Sequence, residues 1–194
     1  MDNGEKKVSY KLNAVDLKIV KSLTENCRKS TSQIAKEAGI SRPTAIARLK
    51  ALTENQIIDF SARVNLARLG FKLGLVTYEI KESQPKQDVL AKVKNCPRVL
   101  QLLRTVNSST YTALIFAENT ETKLSAIECL RSVLNAKTVS AQRVRPVLGE
   151  TFDLKIFLEK CELTPCGKKC GICSNYEESE CFGCPATKYY KGSI

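Results

Sequence analysis

The sequence predicts an α+β protein of three parts: a bundle of short N-terminal helices, a domain of alternating strands and helices, and a small cysteine-rich tail. Two helical patterns meet at a sharp turn near the N-terminus, and strand and helix patterns follow in the order β-α-β-β-α-β. Six of the nine cysteines lie in the last 34 residues. The predicted boundaries are 1–60 for the helical domain, 61–71 for a linker strand and hinge, 72–150 for the sheet domain and 160–194 for the tail.

The N-terminal helices are predicted from their capping residues. Residues 16–23 form a helical pattern, and Ser30–Gln33 has the capping-box sequence that starts a short second helix. Gly39 can take the left-handed conformation that ends this helix, and Ser41 is a good N-cap for the next one. Short helices braced in this way are typical of a (winged) helix-turn-helix, whose second helix enters the major groove of DNA.

The third helix, over residues 41–52, is predicted to have one apolar and one basic face. Its apolar residues recur at helical spacing: Ala45, Leu49 and Leu52. The opposite face carries donors suited to phosphates and base edges: Arg42, Thr44, Arg48 and Lys50. Taken alone, this segment fits a solvated amphipathic helix as well as a DNA reader. The capping box upstream favours the DNA reader.

Residues 72–150 are predicted to form a ferredoxin-like β-α-β-β-α-β domain, an antiparallel sheet with both helices on one side. The expected strands cover residues 73–81, 98–106, 111–117 and 138–148. One helix is expected between Pro85 and Pro97, burying Val89, Leu90 and Val93. The second is expected over 120–134, burying Leu124, Ile127, Leu130 and Leu134. The other sheet face is expected to be apolar through Leu100, Leu102, Leu114 and Phe116, so that a second copy of the chain covers it.

Several segments, in this order, resemble the Lrp/AsnC (feast/famine) transcription regulators of archaeal type. They are Leu17–Val20, Gln33–Ser41, Ala47–Leu52, Ile57–Ile58 and Leu66–Phe71, and the resemblance extends from residue 12 to about 150. It implies a homodimer or larger oligomer built through the sheet domain (RAM-type), with paired helices that read double-stranded DNA. Arg42, Thr44 and Arg48 are then the DNA-facing residues, with Ser32 and Gln33 near the DNA backbone.

One turn departs from the family pattern. Members usually carry a Gly and an Asp between the second and third strands of the sheet domain, near a small-molecule pocket. Here that turn is Asn107–Thr112, which contains neither residue. The identity of any effector, and its binding residues, therefore stay unknown.

Composition restricts the possible functions. The formal net charge of +11 favours a polyanionic partner. No segment resembles a signal peptide or a membrane span, so the chain is expected to be cytoplasmic and without a membrane partner. The chain has no histidine and shows no paired-carboxylate or phosphate-loop signature, so it is not expected to be an enzyme.

The tail has the cysteine spacing of a metal site. The candidate ligands are Cys166, Cys170, Cys173, Cys181 and Cys184, with Cys161 the less favoured sixth. Zinc held by four thiolates is the simplest expectation, and an iron–sulfur cluster is the alternative, because Cys166-x3-Cys170-x2-Cys173 also has a cluster-type spacing. Cys27, Cys96 and Cys129 are expected to be small buried hydrophobes.

The role of the tail stays open between a structural staple, a metal or redox sensor and a cluster site. It resembles the short Cys-rich domains fused to some archaeal regulators. The function predicted for the whole chain is a sequence-specific DNA-binding regulator that acts as a dimer or larger oligomer, and a response to metal or redox state through the tail is left open. The alternative is a metal-handling or redox protein whose helical head serves assembly only.

Overall fold

The computed structural model describes residues 10–80, 86–106, 108–178 and 180–194. The chain divides after Ser61 into two compact units, each with its own apolar core. Pro85 and Asn107, which take part in the sequence predictions above, lie outside the described residues.

The first unit consists of three helices: α1 (Ala14–Glu25), α2 (Thr31–Ala38) and α3 (Arg42–Glu54). The predicted capping box of α2 is present, because Ser30 and Gln33 exchange side-chain and backbone hydrogen bonds. Gly39 ends α2 at φ 72° and Ser41 caps α3, as expected. The core of the unit is formed by Ile19, Ile34, Ala38 and Leu52. The described residues of this unit contain no strand.

The second unit contains a four-stranded antiparallel sheet and a separate two-stranded ribbon. In chain order its elements are β1 (Arg63–Asn65), β2 (Lys72–Ile80), α4 (Lys86–Lys94), β3 (Val99–Arg104), β4 (Thr110–Ala117), α5 (Thr120–Leu134), β5 (Ala136–Val144) and β6 (Thr151–Asp153). The strand order β3-β4-β2-β5 is that of the predicted β-α-β-β-α-β plan. Strand β6, which pairs with β1, was not predicted.

The core between the sheet and its helices differs from the prediction at two leucines. Leu90 and Leu124 are each 58% exposed, although both were expected inside. Leu90 follows the buried Val89, and one residue turns a helix by about 100°, which carries Leu90 off the buried face. On α5 the buried residues are Ala126, Ile127, Leu130 and Leu134, together with the polar Thr122.

A bulge in β3 explains a third difference. The register of β3 against β4 shifts between Val99 and Gln101. A shift of one residue reverses the faces of the side chains that follow. Leu102 therefore packs against the helix-side core, whereas Leu100 stays on the open face of the sheet, where Phe116 is buried. The open face is thus apolar as expected, but without Leu102.

Candidate nucleic-acid interface and cysteine cavity

Helix α3 presents a polar surface beside its buried side. Ala45 and Leu52 are fully buried. Arg42, Thr44 and Lys50 are exposed. The hydroxyl groups of Thr44 and Ser41 lie 2.8 Å apart in a hydrogen bond, so the cap of α3 orients the Thr44 side chain. The first turn of α3 therefore exposes both a hydroxyl and a guanidinium.

Arg48 has a second contact that the sequence did not reveal. It is only half-exposed, and its Nη1 atom lies 3.7 Å from Oδ1 of Asp16 on α1. The carboxylate of Asp16 is buried. Arg48 therefore takes part in packing α3 against α1 as well as presenting a positive charge.

The two candidate residues on α2 lie in its first turn. Ser32 and Gln33 are both exposed. The Oε1 atom of Gln33 accepts a hydrogen bond from the backbone N–H of Ser30 at 2.8 Å. This bond fixes the Gln33 amide at the helix start, with its NH₂ group available as a donor. All six predicted DNA-facing residues thus lie on α2 or α3 of the first unit.

The cysteine-rich tail packs on the second unit through buried polar contacts. Arg98 forms a 2.9 Å ion pair with Glu118, and both side chains are nearly buried. Arg98 also donates to the carbonyl of Gly183, and the Tyr190 hydroxyl donates to Glu118 at 2.6 Å. We call Arg98, Glu118 and Tyr190 the latch.

Further contacts align the tail along α5. The backbone N–H of Phe182 donates to the Thr122 hydroxyl at 3.0 Å. The Lys168 ammonium donates to Ser132 at 2.9 Å, and the Asn175 amide donates to Ser125 at 3.1 Å. The described residues of the tail form a 3-10 turn at Cys170–Ile172, helix α6 (Ser174–Glu177) and an isolated bridge between Cys161 and Thr187.

A cavity of about 590 Å³ lies between the tail and the helices of the second unit. Seven cysteines line it: Cys96, Cys129, Cys166, Cys170, Cys173, Cys181 and Cys184. Five of them are the predicted tail ligands, whereas Cys129 comes from α5 and Cys96 from the loop before β3. Cys161 is exposed and does not line the cavity.

The prediction for the three scattered cysteines was wrong for Cys27, which is exposed in the first unit. Cys96 is partly buried and packs against the core of the second unit, as expected, and Cys129 is partly buried on α5. Both of these residues also line the cavity, which was not predicted. The only sequence signal was that Cys129 lies on a helix predicted to cover the sheet. The tail folds back against this helix through contacts between residues far apart in sequence. The spacing of cysteines within the tail does not predict such contacts.

Hydrogen bonds surround the sulfur atoms of the cavity. The Cys129 thiol donates to Cys166, which lowers the pKa of Cys166 to about 6. The same bond, together with burial, raises the pKa of Cys129. Burial raises the pKa of Cys184 to about 12. A bound metal would override the effect of burial, because a coordinating thiol loses its proton.

No three Cys, Asp or Glu side chains among the described residues are grouped closely enough to hold a metal ion. The thiols instead lie around the cavity. The four-cysteine zinc site therefore stays a prediction, and so does the cluster alternative.

A family model described as winged helix-turn-helix DNA-binding matches residues 12–59. The HTH-type transcriptional regulator Ptr1 of Methanocaldococcus jannaschii is 38% identical over 96 residues, which are 48% of this chain and 64% of Ptr1. The HTH-type transcriptional regulator LrpA of Pyrococcus horikoshii is 30% identical over 104 residues, which are 53% of this chain and 74% of LrpA. The chain belongs to the Lrp/AsnC family. It spans just under two thirds of the length of Ptr1.

The solved structures agree with this family at the level of the fold. The leucine response regulatory protein LrpA of Mycobacterium tuberculosis superposes with a TM-score of 0.65 at 20% identity, over 72% of this chain and 97% of that one. The Lrp/AsnC relatives are transcription regulators and not enzymes, in agreement with the prediction for this chain. No helix in the described part of the chain is long and apolar enough to cross a membrane.

Proposed function

We propose that this Lrp/AsnC protein is a cytoplasmic transcription regulator that binds specific double-stranded DNA sequences. The observation that carries the proposal is the corner between α2 and α3, where Gly39 turns the chain and α3 exposes Arg42, Thr44 and Lys50. Within this proposal, Arg42 and Thr44 contact base edges, because they lie at the N-terminal end of the helix that enters the groove.

The remaining candidate residues contact the DNA backbone in this proposal. Lys50 and Arg48 meet phosphates from α3, and Ser32 and Gln33 meet them from the first turn of α2. Phosphate contacts supply affinity and its salt dependence but carry no sequence information directly. The proposal therefore separates residues that set affinity from residues that set sequence preference.

We further propose that the regulator acts as a homodimer or a larger oligomer formed through the open face of the sheet. That face borders a cavity of about 560 Å³ lined by apolar residues that include Leu73, Leu75, Leu100 and Leu114. Symmetric pairing of one patch with itself is the commonest way to cover such a face. Pairing also places two reading helices on one DNA molecule.

The tail is proposed to make the regulator responsive to metal or redox state. This proposal is supported by the latch. Its residues Arg98, just before β3, and Glu118, just after β4, contact the tail and are paired with each other, and both strands belong to the sheet with the open face. A change in the tail can therefore act on the sheet that forms the oligomer.

The test is the affinity of the full-length protein for DNA upstream of its own gene and for a random duplex of equal length, measured over a range of salt concentrations. We expect tighter binding to the upstream DNA and a log-linear fall with salt. Equal, salt-independent binding would overturn the proposal and favour the metal-handling alternative. The same titration after metal chelation tests the tail, because unchanged affinity and oligomeric state would reduce it to a structural staple.

A further inference from the structure

The cavity between the tail and α5 collects more thiols than one metal ion requires. Seven cysteines line about 590 Å³, and two of them come from outside the tail. A structural zinc ion takes four ligands, with each sulfur about 2.3 Å from the metal. Seven thiols are therefore enough for a four-thiolate site that includes a residue from outside the tail, whether that site holds zinc or an iron–sulfur cluster.

The arrangement of the thiols also differs from that of a site for one ion. Among the described residues no three potential ligands are grouped tightly enough to share an ion. Seven cysteines nevertheless line the one cavity, and a polynuclear iron–sulfur core is held by four thiolates. The three cysteines with the cluster-type spacing, Cys166, Cys170 and Cys173, all line this cavity.

One backbone donor reaches a sulfur atom of the cavity. The backbone N–H of Gly183 donates to the Sγ atom of Cys181 at 3.4 Å. A donor of this kind favours a thiolate and tunes a cluster that the thiolate binds.

Cys129 is the residue that links this cavity to the sheet domain. It lies on α5, whose Ala126, Ile127 and Leu130 are buried in the core against the sheet. Cys129 and Cys166 of the tail both line the cavity, so α5 and the tail meet there. A centre that uses both residues would join the tail directly to the helical layer.

We propose that the cavity binds an iron–sulfur cluster of the [4Fe–4S] type, and that Cys129 of α5 is one of its ligands beside tail cysteines. Cluster binding does not depend on the proposed function. Only the role of the cluster does, because the cluster would be the group through which the regulator responds to metal or redox state.

The first experiment measures metal content in the full-length protein, produced with iron and sulfide available and purified without oxygen. We expect about four iron and four sulfide per chain, with a broad visible absorption band. Cys129→Ser is expected to lower both contents by at least half. Cys27→Ser is the matched control, because its thiol is exposed and lies outside the cavity.

The second experiment needs no substitution, and so does not depend on whether the Cys129 variant folds. The loaded protein and the protein stripped of iron by a chelator are treated with iodoacetamide, and the modified cysteines are mapped by mass spectrometry. We expect Cys129 to be protected only in the loaded protein and Cys27 to react in both.

One zinc per chain without iron, or no metal at all, would overturn the cluster. Unchanged iron in Cys129→Ser, or equal alkylation of Cys129 in both states, would overturn its role as a ligand. Neither measurement involves DNA. Failure of this inference is therefore distinguishable from failure of the proposed regulator, which is decided by DNA affinity alone.

Discussion

The guanidinium of Arg48 on α3 lies 3.7 Å from the buried carboxylate of Asp16 on α1. The other oxygen of that carboxylate accepts a hydrogen bond from the backbone N–H of Asn13 and so completes the cap of α1. Asp16 thereby connects the start of the first helix to the helix proposed to read DNA. A side chain proposed to contact DNA phosphates also stabilises the first unit, in which it lies.

Replacing Arg48 by alanine should destabilise the first unit. The change removes the cation beside the buried Oδ1 of Asp16, and a pair with one half-exposed partner contributes about 1 kcal/mol to the free energy of unfolding. Lys50→Ala is the matched control, because Lys50 is exposed and pairs only with Glu54 on the helix surface. We expect that control to change stability by less than about 0.5 kcal/mol. Chemical denaturation followed by circular dichroism measures both, and equal effects would show that the Asp16 contact does not contribute.

Lys50 and Thr44 should contribute differently to DNA binding, one to overall affinity and the other to sequence preference. Lys50→Ala should weaken binding to specific and random DNA alike and reduce the salt slope by about one charge. Thr44→Ala should instead change the preference between sequences while leaving the slope unchanged. Competition binding at three salt concentrations measures both quantities. Equal losses on both DNAs for both variants would remove the division between phosphate and base contacts.

Two glycines of the tail offer a direct test of how closely it is folded. Gly167 and Gly183 both have positive φ angles, 81° and 76°. A Cβ at Gly183 would lie 2.8 Å from the backbone oxygen of Tyr189, whereas one at Gly167 would meet nothing within 4 Å. Gly167→Ala should therefore cost only the backbone strain of about 1–2 kcal/mol. Gly183→Ala must also displace a backbone segment, so its tail should be cut much faster in limited proteolysis. Similar cleavage rates for the two variants would contradict this packing.

Local signals predicted most of the fold because they act between residues close in sequence. The turn between α2 and α3, for example, is predicted by capping residues alone: Ser30, Gln33, Gly39 and Ser41. The alternation of apolar residues likewise predicts the strands of the sheet. The bulge after Val99, by contrast, depends on how β3 pairs with β4, and no pattern within β3 indicates it.

The parts of the site that the sequence missed are long-range pairs. Asp16 and Arg48 belong to different helices, and nothing in either helix indicates that one faces the other. Cys129 and Cys166 meet only because the tail folds back along α5. The ion pair of Arg98 with Glu118 is buried for the same reason. In each case the contact is determined by tertiary packing and not by the local secondary-structure propensity of either residue.

The open face of the sheet should determine the oligomeric state. Leu114 lies half-buried on that face, so Leu114→Glu would place a charge in the proposed interface between two copies. Leu124→Glu is the control, because Leu124 is exposed on α5 in the helical layer. We expect light scattering to show a monomer for Leu114→Glu only, with DNA affinity lowered roughly a hundredfold as the two heads lose their linkage. A Leu114→Glu protein that stays oligomeric would place the interface elsewhere.

The latch should decide whether the tail stays on the second unit. Arg98→Ala leaves Glu118 buried without its cation, and breaking a buried pair in this way costs about 3–5 kcal/mol. Tyr190→Phe removes only the hydrogen bond to Glu118, a loss of about 1 kcal/mol. Its control is Tyr189→Phe, which removes an equivalent bond to Glu162 on the surface.

Amide hydrogen exchange in residues 181–191 should accelerate strongly in Arg98→Ala, slightly in Tyr190→Phe and not in the control. The order follows from burial, since a hydrogen bond shielded from water cannot be replaced by one to solvent. Uniform exchange across the three variants would mean that other contacts hold the tail, and the route from the tail to the sheet would then have to pass through α5.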